Sequence, residues 1–412
     1  MTYRYGVKVA VKDSIGAAPV TTGSCVVFFG GAYMCADVGK VAKCNSYQDY
    51  IDEFHGGDSE NINEPLALDE SAEIVFSKVG LDHAWFVNCT DQAECESDVS
   101  NAEIKAQLDN ACAYICLNSS ERPNILCVPA IHEHDGSASD LISSLAALCH
   151  GHINDAYSAI GVVDCSESAA QIANNKAVPA QIAKDSTDGL IISTWGRVVT
   201  ERNSSGGIIG TNRLSSIIAS KYALQDAANT GGVPYRSIGN LPVSWCKGLC
   251  INNGSGFIEC SARQANMTDI AAKGIVTLVN LGSGTWHTWG DHTSAFSDGG
   301  VFDVLYQFDS SARMMVHLFN RFIDQWRDVI DKPMTLALRN DIVNGEQGYL
   351  DYLVAIGALI GSPRCEFKPE ENLELASGYF YFSDTYTTTV PAKYIQLNLT
   401  HTTEGLKAYT EQ

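Results

Sequence analysis

The sequence predicts an α/β protein: a mainly parallel sheet covered by helices, followed by an α+β C-terminal part, with extended arms at the chain ends. Three observations predict it. Short runs apolar at nearly every position recur at 25–29, 84–88, 124–129, 159–164 and 189–193, as strands buried on both faces require. Stretches of helical period separate them at 46–54, 69–79, 102–115, 139–148, 168–174 and 214–228, the alternation that builds parallel sheets. Past Thr285 this alternation stops, which sets the last third of the chain apart.

Taken in order, residues 1–20 read as an extended arm. Tyr5, Val7, Val9 and Val11 recur at the strand period of two, and Gly16 and Pro19 follow, residues that interrupt regular structure. Residues 21–290 form the α/β body. In 291–412, Asp309 or Ser310 is expected to cap a long helix whose apolar face carries Met315, Leu318, Phe319, Phe322 and Trp326. A second helix runs from Pro333 and ends before Gly345, and a third covers 346–360. Two strands are expected at 377–383, with Tyr379 and Tyr381, and at 394–400, with Tyr394, Ile395 and Leu397; Pro391 stands between them.

Composition narrows the function. The chain has 412 residues, 45% hydrophobic and 18% charged, enough to bury a large core and too apolar for intrinsic disorder. No apolar run approaches the length of a membrane span, and the start has no basic stretch leading into an apolar one, so neither membrane insertion nor a secretory leader is expected. Residues 51–100 hold thirteen acids against one base, Lys78, which is more than half of the net charge of −21. An acidic body argues against a nucleic-acid partner. The arm carries the opposite sign, with Arg4, Lys8 and Lys12.

Fourteen cysteines are many for such a chain. No C-x-x-C pair occurs, and the densest candidate metal set is His132, His134, Cys149 and His152. Buried thiols and hydrated imidazoles account for that set without an ion, so no metal or other cofactor is expected. Cys127 reads as a core thiol, whereas Cys44, Cys95, Cys250 and Cys365 stand in polar surroundings and are expected to be accessible, some of them in disulfides.

A catalytic constellation does not emerge. G-x-S-x-G is absent, the glycine-rich stretch Gly206–Thr211 lacks the lysine of a phosphate loop, and Gly30-Gly31 leads to no dinucleotide fingerprint. His287, Asp291 and His292 stand in the densest polar-aromatic cluster, Trp286–Thr293, which reads as a packing turn.

The order of these elements resembles the contractile tail sheath proteins of bacteriophages and related contractile injection systems. The residues that carry the likeness are Val26-Val-Phe-Phe-Gly, Ser46-Tyr-Gln-Asp-Tyr-Ile, His83-Ala-Trp-Phe-Val-Asn, Asn124-Ile-Leu-Cys-Val-Pro-Ala and Ser216-Ile-Ile-Ala-Ser-Lys-Tyr-Ala. Further on, Asp269–Leu278, the turn Trp289-Gly-Asp-His-Thr, Leu338-Arg-Asn-Asp-Ile, Gly357-Ala-Leu-Ile-Gly and Val390-Pro-Ala-Lys-Tyr-Ile-Gln-Leu follow in the family's order. The chain departs from the family at Ser193-Thr-Trp-Gly, where Tyr-Pro-Trp is common, and at His292, where arginine is usual.

The resemblance implies a structural subunit without enzymatic activity. It would polymerise as stacked hexameric rings around a tail tube, with baseplate and tail terminator proteins as further partners, in a tail assembled in a bacterial cytoplasm and then released. It also implies that strands at the two chain ends, through Tyr5, Val7, Val9, Val11, Tyr379, Tyr381, Tyr394, Ile395 and Leu397, pair with neighbouring subunits. The residues permit this, because an isolated strand satisfies its backbone groups only by joining another sheet. Arg4, Lys8 and Lys12 would then face Glu366, Glu370, Glu371 and Glu374 of a neighbour. A surface-layer-like lattice protein and a degenerate α/β hydrolase remain the alternatives.

Overall fold

The structure is a computed structural model, and it describes residues 23–33, 35, 37–57, 65–90, 100–154, 156–167, 171–173, 176–178, 182–260, 264–282, 284–301, 303–368, 375 and 378–404. The arm residues Tyr5, Val7, Val9 and Val11, together with Cys95, Glu370, Glu371 and Glu374, lie outside the described residues.

The body begins with β1 (Cys25–Gly30), β2 (Lys40–Cys44), α1 (Tyr47–His55), α2 (Ala67–Glu73) and β3 (Ala84–Asn88). It continues through α3 (Asn101–Asn118), β4 (Pro123–Val128), α4 (Ala138–Cys149), β5 (Ile160–Asp164), the hairpin of β6 (Gln171–Ala173) and β7 (Lys176–Val178), and β8 (Ile191–Thr194). Then come β9 (Arg197–Arg202), β10 (Ile208–Arg213), α5 (Leu214–Ala228), β11 (Pro242–Val243), β12 (Leu249–Asn252) and β13 (Phe257–Glu259). α6 (Gln264–Ala271), β14 (Ile275–Asn280) and β15 (Trp286–Trp289) complete it. The chain ends with α7 (Asp309–Trp326), α8 (Leu336–Ala355), β16 (Leu359–Phe367) and β17 (Phe382–Thr388).

The main sheet has nine strands in the order β11-β15-β14-β8-β5-β4-β1-β3-β2. Neighbours from β14 through to β3 run parallel, and β2, β15 and β11 add antiparallel margins. Every residue of β1 and β3 is buried, which explains their uninterrupted apolar sequences. Phe28 and Phe86, partners across the two strands, stack at 5.5 Å. Polar caps start the covering helices: Ser46 accepts from the Asp49 N–H of α1, and Ser100 with Glu103 forms the capping box of α3. β10-β9-β12-β13 form a second, four-stranded sheet, and β16 pairs with β17 alone.

Several expectations need correction. Residues 171–173, expected within a helix, form β6, antiparallel to β7. In α7 the buried apolar residues are Ala312, Met314, Val316 and Leu318, while Phe319 is 42% exposed. Ala312 and Val316 join the main core, whereas Met314 and Leu318 join a second core with Leu350, Leu353 and Leu359. A helix wedged between two cores buries two stripes, and a one-face periodicity misses the second. The two helices expected on either side of Gly345 are one helix, α8. Glycine there lets the Trp326 ring lie close, since a Cβ would stand 3.0 Å from it.

The strand expected at 377–383 begins only at Phe382, and its Thr-rich continuation pairs with β16. Residues 394–400 form no strand in the single chain. Cys44, Cys250 and Cys365, expected to be accessible, are 0%, 0% and 5% exposed. Cys44 and Cys365 lie in strands whose alternation turns the polar neighbours outward and the thiol inward, whereas Cys250 lies in a strand buried on both faces, between Leu249 and Ile251. Burial pushes the thiols of Cys44 and Cys250 up to about 12. The cysteines among the described residues are all free.

Candidate assembly surface

In open α/β sheets ligands bind beyond the carboxyl ends of the strands. In this chain that crevice is a cavity of about 250 Å³ lined by Glu133, Asp164, Glu167, Arg197, Arg213 and Asn252 among others. Its charged groups answer one another. The Asp164 carboxylate accepts from the Ala130 N–H (3.0 Å), the Thr194 hydroxyl (2.8 Å), and the N–H (3.2 Å) and hydroxyl (2.8 Å) of Ser215. It thereby ties β5 to the β4 loop, β8 and the start of α5. Arg197 joins Glu133 to Glu167, the latter at 3.3 Å, and Arg213 joins Glu70 to Glu133, the latter at 2.8 Å. Burial, with Asp164 and Glu70 adding repulsion, pushes Glu167 up to about 8, although the Asn252 N–H and Arg213 act in the other direction.

Several members of the two histidine clusters are likewise engaged, although Nδ1 of His287 is buried without a hydrogen-bond partner among the described residues. His132 pairs with Asp185 at 2.8 Å, His134 meets the Pro129 carbonyl at 3.1 Å, and Cys149 is buried in α4. Nδ1 of His292 donates to the Gln307 carbonyl at 2.9 Å, and its ring stacks on Phe296. Burial lowers its pKa. Among the described residues no group of three or more His, Cys, Asp and Glu is placed to hold a metal ion, and no helix is long and apolar enough to cross a membrane.

The unsatisfied surface lies at the chain's C-terminal end. β17 returns the chain along β16 over α7 and α8, and the Thr389 N–H still bonds to the Ala358 carbonyl at 3.4 Å. Beyond it the chain is extended, and every residue from Ala392 to Glu404 is exposed. Ile395, Leu397 and Leu399 alternate with Gln396, Asn398 and Thr400, and the three apolar side chains are 86%, 77% and 86% exposed. Among the described residues the backbone of 394–400 makes no hydrogen bond. Such groups are normally paired or hydrated, and exposed apolar side chains at strand spacing mark a surface awaiting a partner.

β16 and β17 form a sheet of two strands, too few to stand without further cover; on β16 the Gln347 side chain accepts from the Cys365 N–H at 3.0 Å and donates to the Pro363 carbonyl at 3.1 Å. Pro363 interrupts the donors of β16, where the register also shifts between Ile360 and Arg364. β17 contains no proline.

Of the residues expected at inter-subunit strands, Tyr379 and Tyr381 are 56% and 44% exposed just before β17, while Tyr394, Ile395 and Leu397 lie on the extended segment. The sequence reading missed Leu399, which continues the same alternation, and it missed Lys393. The Lys393 ammonium pairs with the buried Asp291 carboxylate. No local pattern signals that contact, because the partners stand about a hundred residues apart on separate elements.

No family model matches the sequence, and no curated protein matches it. Solved structures match its fold. The helical sheath of the anti-feeding prophage in its contracted state aligns with TM-score 0.66 at 14% identity, over 98% of this chain and 100% of that one. The sheath complex of an extracellular contractile injection system, PVC, also contracted, aligns with TM-score 0.65 at 14% identity over 98% of this chain and 99% of that one. The crystal structure of a sheath tail protein from Listeria innocua gives TM-score 0.52 at 11% identity over 89% and 95% of the two chains. Along nearly its whole length, this chain therefore has the fold of contractile tail and injection-system sheath proteins.

Proposed function

We propose that the chain is a non-enzymatic sheath subunit that polymerises as stacked hexameric rings around a tail tube and contracts to drive that tube through a cell envelope. One observation carries the reading: an extended segment, 394–400, alternates apolar and polar residues, lies exposed, and among the described residues leaves its backbone unbonded a few residues past a two-stranded sheet. Pairing with the β17 edge of a neighbouring copy satisfies both at once. The likeness of fold to sheaths supports the same reading. In it, residues 1–20 are a second exchanged arm, 21–290 the outer body and 291–412 the tube-facing part. Baseplate and terminator proteins close the two ends, and the particle works outside the cell that built it.

Contraction follows if strand exchange survives while the bodies slide to a larger shared interface. Each Å² of apolar surface so buried contributes roughly 25 cal/mol, and no subunit needs to unfold. Negative-stain imaging of the purified full chain tests the proposal, with a second chain ended after Thr389. Tubes or cylinders are expected from the full chain and only dispersed subunits from the shortened one. Flat sheets would favour a lattice protein, and cylinders that grow equally well from the shortened chain would defeat strand exchange.

A further inference from the structure

Residues 394–400 have a pattern that determines which face meets a partner but not the register. Ile395, Leu397 and Leu399 are spaced two apart, so a slip of two residues puts apolar side chains in equivalent places. Period-two sequences resist one-residue slips and tolerate two-residue ones. Something outside the alternation must set the phase.

Asp291 and Lys393 are placed to do so. Asp291 follows β15 and is 4% exposed, and its backbone carbonyl accepts from the Asp309 N–H at 2.9 Å, which locks it to the start of α7. Its Oδ1 pairs with the Lys393 ammonium, which also stands 5.7 Å over the Phe308 ring. The other basic group nearby, His292 Nε2, is 3.7 Å from the same oxygen. Because Nδ1 of that ring donates to Gln307, Nε2 carries no proton in the neutral tautomer and offers no counter-charge. Among the described residues Lys393 is therefore the cation that answers a buried carboxylate, and a buried charge strongly favours keeping its partner. It is also the residue immediately before the unbonded segment.

We infer that Asp291 is a positioning residue for the exchanged strand: by pinning Lys393 it makes residues 394–400 leave the body from one fixed point, so that they meet a second copy of the chain in a single register. The pin also limits the conformations the segment loses on pairing, and preorganisation of this kind strengthens association. The inference rests on the strand-exchange reading above.

The test compares full-length Asp291→Asn, Lys393→Gln, Lys393→Arg and the charge exchange Asp291→Lys/Lys393→Asp with the chain ended after Thr389. Cylinder yield by sedimentation and cylinder regularity by electron microscopy are read beside the unfolding midpoint of the free subunit. Asp291→Asn removes the pin without leaving a buried anion unpaired, so its subunit stays folded. Its cylinders are expected to fall at least about tenfold in yield or to lose a uniform diameter, while Lys393→Arg keeps both. Recovery in the charge exchange adds support. Regular cylinders at wild-type yield from both Asp291→Asn and Lys393→Gln overturn the inference, provided the shortened chain still fails to assemble. If the shortened chain also assembles, the strand-exchange reading itself is what fails.

Discussion

Glu167 shows how burial sets the chemistry of a single carboxyl group. Its folded-state pKa is pushed up to about 8, above its unfolded value, so the folded chain holds a proton that the unfolded chain has released. The stability linked to this group is greatest below about pH 4.5 and declines as the pH rises towards 8, above which it is constant. The groups facing it are Arg197, Arg213, Asp164, Glu70, Glu133, Cys250, Cys260 and the Asn252 N–H. Glu167→Gln should raise the unfolding midpoint at pH 8 and change it little at pH 4.5, as thermal melts across that range would show. Equal shifts at both ends would contradict this assignment. The buried pair Arg313–Asp226 behaves differently. Arg313 also stacks 4.2 Å from the Tyr222 ring. Arg313→Met leaves an uncompensated buried carboxylate and should cost about 3–5 kcal/mol in denaturant unfolding, most of it recovered in Arg313→Met/Asp226→Leu.

At the scale of elements, β5 has a small residue where α4 crosses it. A Cβ on Gly161 would lie 2.6 Å from Ile191 Cδ1 and 2.9 Å from Leu145 Cδ2. Gly161→Val should therefore destabilise by about 1–3 kcal/mol through overpacking, measured as a lower denaturant midpoint with an unchanged slope. Elements of this kind were largely legible in the sequence. β1, β3 and β5 announce themselves by continuous apolar runs, and α5 begins and ends where its period does, whereas the cap expected at Asp309 or Ser310 falls on Phe308. The misses share a cause. Gly345 stops a helix by propensity, yet its lack of a side chain is what admits Trp326; the second buried stripe of α7 exists only because a second core forms. Similarly, polar neighbours hid the inward direction of Cys44 and Cys365, and the Asn252-Asn253 turn just after β12 hid the burial of Cys250. Each is tertiary information that a local pattern does not contain. The candidate surface was half visible: alternation revealed the segment at 394–400, whereas its anchor on Asp291 depends on a contact remote in sequence.

For the whole molecule, charge opposes association. A net charge of −21 makes identical subunits repel. Raising the ionic strength from about 10 mM to about 150 mM shortens the screening length from about 30 Å to about 8 Å. Cylinders should therefore form at lower subunit concentration in the higher salt, as light scattering against concentration would record. The opposite trend would mean that attraction between basic and acidic patches, rather than apolar strand pairing, governs growth.

The enclosed thiols also bear on durability. With Cys44 and Cys250 near 12, the reactive anion is on the order of one part in ten thousand at pH 8. Molecular oxygen and peroxide would find little to attack while the fold is intact. At these two positions the reduced state is guarded by packing and holds only as long as the fold does, whereas the partly buried Cys116 lacks the same cover.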